Sequence, residues 1–355
     1  MYLARATLCG VAPFGELDVD FCTEHEEPRM VTVVHGGAGV GKTTLLQALA
    51  CTRPGHATVA SSLGSVDEGA PRVRCAWHLG EDDPSRPHPL EVGTPGGSPS
   101  SDDAASRRRE QALYDRRARD QGGFVFLMFP ANRWFSRQAV SMHAPRRTMM
   151  RYDVRSTTAL DQASSADLTR ETKQALAYAA ICAALAAGHP RDRSGAGPRQ
   201  VDPRVLGQAM HEAVDKIVQL TGFRYEGLEP LSFEPLFSSP GGCSRTFDVL
   251  PTRTRHLVAY AALTIKTLWA AYPSYDPRAA EGVVAIDDID LHQDARVQSE
   301  LLRTLRSSLP GVQWIVTTAS PHLAASAGPG QVLALRRMSQ SDQVSLFVDQ
   351  QARTH

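Results

Sequence analysis

The chain has 355 residues, 42% of them hydrophobic, and its 38 basic side chains are balanced by 38 acidic ones. That length allows one large domain or two ordinary ones, each with a sizeable core. The neutral balance excludes a global field that would draw the protein to nucleic acid or an anionic membrane, so any such partner must meet a local patch.

The six cysteines (Cys9, Cys22, Cys51, Cys75, Cys182, Cys243) form no C-x-x-C pair, which argues against a zinc site or a disulfide framework. No charged leader followed by a long apolar stretch opens the chain. The longest apolar run, Ala175 to Ala187, falls well short of the roughly 20 residues of a membrane span. A cytoplasmic protein with no membrane partner is expected.

In chain order, "MYLARATLCGVAPFGELDVDF" reads as strand, turn, strand, and "RMVTVVHG" as an apolar strand running into a glycine loop. A helix follows from Thr43 to Ala50, then a strand at "RVRCAWHL". Between 80 and 123 Pro, Gly, Ser, Asp and Arg dominate, the composition of a mobile insertion. "GFVFLMFP" reads as a buried strand. Helices over Leu160–Ala187 and Val205–Leu220, the second opened by Asp202 and Pro203 as cap and first residue, make a helical lobe spanning 156–222. A strand pair around "LSFEPLFSSPGGCSRTFDVL" and a long helix from Thr254 to Tyr272 come next. The chain then runs through a strand at "EGVVAIDD", a helix from Asp294 to Leu309, a strand at "QWIVTT" and a hairpin of "VLALRR" with "VSLFVD".

Two motifs carry chemistry. "GGAGVGKT" fits the phosphate-loop pattern G-x-x-x-x-G-K-[ST]. Its glycines let backbone N–H groups converge on a phosphate while the following helix presents its positive end. Gly36, Gly37, Ala38, Gly39, Val40, Gly41, Lys42, Thr43 and Thr44 are therefore the expected nucleotide-binding set. Lys42 would reach the β/γ oxygens, and Thr43 would hold Mg²⁺. In "EGVVAIDDIDLHQD", four apolar residues drive a central strand that ends on Asp287 and Asp288. That arrangement puts one carboxylate on the magnesium and the next beside the attacking water, with Asp288 and Lys42 as the catalytic pair. ATP and Mg²⁺ are the expected cofactors. At "VTTASPHL", Ser320 as helix N-cap with Pro321 in the first turn is as good an explanation as function.

The series "GGAGVGKTTLLQAL, FVFLMFPANR, LPTRTRHLVAYAAL, GVVAIDDIDLHQD, QWIVTTASP" resembles small prokaryotic ABC-type ATPases related to the SMC and OLD proteins, over about two-thirds of the residues. The resemblance implies a single domain over 1–355: an α/β, three-layer P-loop NTPase of ABC/SMC-head type with a helical lobe and an N-terminal antiparallel sheet. It implies two heads closing over two nucleotides, and contexts of phage defence or DNA maintenance, often with a nuclease partner. Asp287 matches the Walker B aspartate, Asp290 and His292 follow in its loop, and Asn132 falls near the loop that usually offers a glutamine to the metal.

Three positions depart from that pattern. Asp288 stands where the family has a glutamate, Ala319 where it has a switch histidine, and Pro251 with Arg253 where it has a signature Ser-Gly. A positioned base is worth about 10²–10⁴ in rate and a preorganised donor about 10²–10³. The expected machine is a nucleotide-dependent clamp with slow or partner-stimulated hydrolysis. The alternative is a degenerate ATPase that keeps ATP as a structural ligand in an assembly. Arg253 or Arg255 could take over the signature contact, although an arginine early in a helix commonly lies on a solvated face. The arginine-rich stretches 107–119 and 133–155, the second interleaved with Trp134, Phe135 and Tyr152, have the composition that grips DNA phosphates and stacks on bases. A solvated surface or internal ion pairing is the commoner explanation, since the net charge elsewhere supports no basic face.

Overall fold

The computed structural model describes residues 1–57, 63–66, 70–80, 83, 85, 88–94, 101–120, 124–142, 165–188, 202–272, 275–339 and 343–348. At its centre is a six-stranded sheet in the order β17-β16-β3-β15-β14-β8, formed by Val344–Val348, Val332–Arg337, Val31–His35, Val312–Thr318, Gly282–Ile286 and Phe126–Phe129. All of it is parallel except the edge strand β17, which forms the expected hairpin with β16. The inner strands are buried on both faces, and their unbroken apolar runs follow from that.

Alternation along these strands divides the core in two. Val33, Val284, Ile286, Trp314 and Val316 face a cluster shared with four helices: α3 (Thr169–Gly188), α4 (Pro203–Val218), α5 (Thr252–Ala271) and α6 (Ala295–Ser308). Val34, Val283, Ala285 and Ile315 face the second cluster, which contains α1 (Lys42–Cys51) and a four-stranded antiparallel sheet β2-β1-β6-β7. The latter is built from Gly15–Asp20, Tyr2–Val11, Arg72–His78 and Leu90–Gly93. The helical layer, the parallel sheet and the N-terminal layer are the three expected layers.

Most predicted elements appear within a residue or two of their expected ends. Asp202 accepts from the Arg204 amide ahead of Pro203, as the cap expectation requires. The first lobe helix starts later than predicted, at Thr169. Residues 160–164 lie outside the described residues, and 165–167 form a short strand, β10, parallel to β9 (Asn132–Trp134). Asp167 accepts from the Thr169 amide at 3.0 Å and so starts the helix there.

Within 80–123, where the composition predicts a mobile insertion, the structure forms β7 and a helix, α2 (Ser101–Asp120). Tertiary contacts hold α2: Leu113 and Tyr114 are buried, and the Arg109 guanidinium bonds Asp83 at 2.7 Å. Glu110 accepts from the Gly55 amide. Among the described residues, no helix is long and apolar enough to cross a membrane.

One charge cluster ties the lobe to the segments that lead into β12 (Pro235–Ser238) and α5. Lys173 on α3 is fully buried and donates to Glu234 at 2.9 Å, Asp248 at 2.7 Å and the Gln138 carbonyl at 2.7 Å. It thereby joins α3 to β12 and to the turn Phe247–Val249 that leads into α5. Lys173→Ala leaves two neighbouring carboxylates without their shared cation. It should lower unfolding free energy by about 3 kcal/mol, the usual scale for breaking a buried pair. Urea unfolding checks this, and a change smaller than about 1 kcal/mol would show that the exposed rim of the cluster carries the charge unaided.

Candidate functional site

The glycine loop runs from β3 to α1 at the carboxyl edge of the parallel sheet. Its residues divide by role. Gly36 and Val40 are buried packing positions, since a Cβ on Gly36 would meet the Leu335 carbonyl at 2.7 Å and Val40 at 2.8 Å. Gly41 sits at φ 90°, a left-handed conformation suited to glycine, and a Cβ there would come 2.6 Å from the Phe14 ring. Gly37, Ala38 and Gly39 are exposed, with open space where a Cβ on either glycine would go. Lys42 curls over the loop and donates to the carbonyls of Gly36 and Gly37, both at 2.9 Å.

Across the sheet, β14 delivers Asp287, which is fully buried. Thr43 donates its hydroxyl to Asp287 Oδ2 at 2.6 Å, and Thr317 donates to Oδ1 at 2.5 Å. The elements that the sequence separates by 245 residues therefore meet. Thr317 lies on β15, the strand between β3 and β14, and its oxygen also accepts from the Asp288 amide at 2.7 Å. Thr318 donates to Asp290 at 2.5 Å. Asp288 is held at φ 45°, uncommon for a residue with a side chain and tolerated best by Asn and Asp. Burial, followed by the neighbouring Asp287 carboxylate, raises its carboxyl above the ordinary value.

Part of this network borders a cleft of about 660 Å³ lined by Ala38, Gly39, Gly41, Lys42, Thr43 and Thr44 from the loop and α1, by Asp288, Asp290, Leu291 and Ala319 from the strand ends, and by Ala12 and Pro13. Its chemistry suits a metal-bound polyphosphate. An open glycine loop, an ammonium, a hydroxyl and two carboxylates converge, and hard oxygen donors are what magnesium takes.

Three contributors were not singled out as site residues in the sequence. Thr317 reads in the sequence only as part of a strand end. Arg133, counted there within a basic stretch, is buried, and it donates to the Asp287 carbonyl at 2.6 Å, the Asp288 carbonyl at 2.7 Å, the Pro130 carbonyl at 2.7 Å and His256 Nδ1 at 2.9 Å. Asn132, the neighbour chosen by resemblance, is exposed on β9. His35, at the end of β3, hydrogen-bonds the Ala319 backbone, and burial and then Lys42 lower its imidazole.

Other expectations resolve plainly. Ser320 caps α7 (Pro321–Ser326) and donates to Gln298 at 2.5 Å, which accounts for it structurally. Arg253 is paired with Asp294 at 2.5 Å, and Arg255 lies over the Phe135 ring at 5.1 Å. Of the basic stretches, Arg107, Arg108 and Arg137 are exposed and Arg109 is tied to Asp83. Arg146, Arg147, Arg151, Tyr152 and Arg155 lie outside the described residues.

Burial, with Arg133 next to it, pushes the His256 imidazole down to about 3 from 6.5. Between those values the unfolded chain carries a proton that the folded chain does not. The contribution is therefore present above pH 6.5 and lost as the pH falls through this window. His256→Gln, whose amide oxygen can accept from Arg133, removes this dependence. Its stability loss from neutral pH to about pH 4.5 should be smaller than that of the wild type by about 2 kcal/mol. Equal losses in urea titrations at the two pH values would contradict the assignment.

No family model matches the chain. A segment of 55 residues is 36% identical to Septu protein PtuA of Bacillus thuringiensis, a match that spans 16% of this chain and 14% of that relative. Among solved structures, the SMC head bound to the C-winged helix domain of ScpA is similar over 98% of both chains, with a TM-score of 0.53 at 12% identity. The SMC head domain from Thermotoga maritima aligns over 98% of this chain and 99% of its own, with a TM-score of 0.47 at 15% identity. The Smc head domain with an extended coiled coil bound to the C-terminal domain of ScpA, derived from Pyrococcus furiosus, aligns over 99% and 97%, with a TM-score of 0.49 at 12% identity. The chain therefore has the SMC-head, ABC-type ATPase fold over nearly its whole length.

Proposed function

We propose that the protein is an ATP-binding head that works as a nucleotide-dependent clamp or switch for a partner protein, with slow or partner-stimulated hydrolysis. The observation that carries this reading is the 2.6 Å bond from Thr43 to Asp287, which brings the phosphate loop and the acidic strand end into one site. Thr43 and Asp287 would hold Mg²⁺, which when bound neutralises charge building on the β- and γ-phosphate oxygens. The loop amides and Lys42 bind and orient the triphosphate. Asp288 borders the same cleft, and its carboxyl, raised by burial and by Asp287, is the candidate acceptor for a proton from water.

Its shorter side chain, Ala319 in place of a histidine, and Pro251 with Arg253 in place of Ser-Gly would each remove part of the rate while leaving the glycine loop and Lys42 intact. Closure of two such heads would complete the site. An SMC head of this fold has been solved bound to a domain of ScpA, and a segment of this chain resembles Septu protein PtuA. With the resemblance noted in the sequence, these support a protein partner, a nuclease among the candidates, in phage defence or DNA maintenance. The exposed arginines of α2 are where DNA would be met, and salt-insensitive DNA affinity would remove that part of the reading.

The same departures favour a second reading, in which ATP is retained as a structural ligand without turnover. Calorimetry with Mg-ATP and single-turnover hydrolysis separate the two. Lys42→Ala should weaken binding by about 10- to 100-fold, the worth of a charge-assisted contact. Asp288→Asn should keep binding, lose hydrolysis and accumulate ATP-dependent dimers in light scattering. Rapid unstimulated turnover, at tens per second, that Asp288→Asn abolishes would overturn the slow clamp. Persistent ATP without turnover in the presence of partners would favour the structural ligand.

A further inference from the structure

Arg133 has no part in the nucleotide chemistry proposed above, yet its guanidinium is buried and its partners are neutral acceptors. Burying a cation costs several kcal/mol unless its donors are matched, and bonds of 2.6–2.9 Å take four of the five guanidinium N–H groups here. Two of these fix the peptide groups on either side of Asp288. Asp288 is thus clamped from both directions: Thr317 accepts from its amide, and Arg133 donates to its carbonyl. That clamp explains how its left-handed φ of 45° persists.

The other end of the guanidinium reaches His256, one turn into α5. Because Nδ1 accepts from Arg133 Nε, the imidazole proton must sit on Nε2, and among the described residues that buried nitrogen has no partner. Among the described residues, the bond to Arg133 is thus the imidazole's hydrogen bond, and rings pack around the rest of it. The first turn of α5, from Thr252 to Arg255, is partly exposed and follows Pro251, which offers no side-chain cap. Helix and carboxylate pair are joined through a single planar group with little freedom to stretch.

We infer that Arg133 is a positioning residue that couples α5 to Asp288, so that displacing the first turn of α5 re-aims the carboxylate. Its effect on hydrolysis rests on the proposed ATPase reading; its effect on the segment after β14 does not. Arg133→Lys keeps the charge but cannot span both carbonyls and the imidazole. His256→Ala cuts only the link to α5.

Both variants should speed hydrogen exchange at the amides of 287–291 about ten-fold while leaving β1 unchanged. In single-turnover assays Arg133→Lys should slow hydrolysis about ten-fold with Mg-ATP affinity held within about two-fold. Combined with Asp288→Asn it should cause no further loss. Wild-type exchange at 287–291 in either folded variant overturns the coupling. So does additivity with Asp288→Asn, or a loss of affinity equal to the loss of rate. If the wild type binds ATP and never hydrolyses it, the enzymatic reading fails, and the exchange measurement alone decides the role of Arg133.

Discussion

A buried carboxylate must be satisfied where it lies, and the site is organised around that demand at Asp287. With no exposure to water, Asp287 takes its hydrogen bonds from Thr43 and Thr317. One residue thereby ties together the first turn of α1 and strands β14 and β15. Its backbone is fixed as well, because its amide donates to the Phe129 carbonyl at 2.9 Å and its own carbonyl accepts from Arg133. A loop rich in glycine acquires a rigid reference point this way, and the exposed part of the loop needs to contribute only open backbone.

From that anchor the polar network spreads in two directions. Toward the cleft it reaches Asp288, Asp290 and Lys42, groups with accessible edges. Toward the helical lobe it passes through Arg133 and His256, which is wedged among rings: Phe135 at 5.0 Å and His292 at 5.4 Å between centroids. Lys173 secures the same lobe to the turn before α5. The approach to α5 is thus held by Lys173 and its first full turn by the arginine link. A helix so placed can report on the surface and on the site together.

Much of this was legible in the sequence, for identifiable reasons. Continuous apolar strands such as Val283–Ile286 announce a parallel sheet, and the spacing of glycines before Lys42 announces the loop, because both follow from backbone geometry. Gly36 and Val40 entered the binding set by motif, although the structure uses them for packing against Leu335 and the N-terminal core. What the sequence hid depends on contacts between distant segments. Arg133 looked like one basic residue among six, since nothing local reveals that its acceptors come from Asp287, Asp288 and His256. Helix α2 was hidden by its polar composition, and its order comes from Asp83, Gly55 and two buried side chains. The late start of α3 follows from Asp167, a cap that an apolar-period reading passes over.

The central claim is that the loop and the acidic strand end hold one metal–triphosphate between them. Replacing Mg²⁺ with Mn²⁺ in the presence of ATP makes that site visible to electron–nuclear double resonance. The account predicts phosphorus couplings from the β- and γ-phosphates in the wild type, and their loss or marked change in both Thr43→Val and Asp287→Asn. Manganese bound without phosphorus coupling, or couplings indifferent to both substitutions, would contradict it.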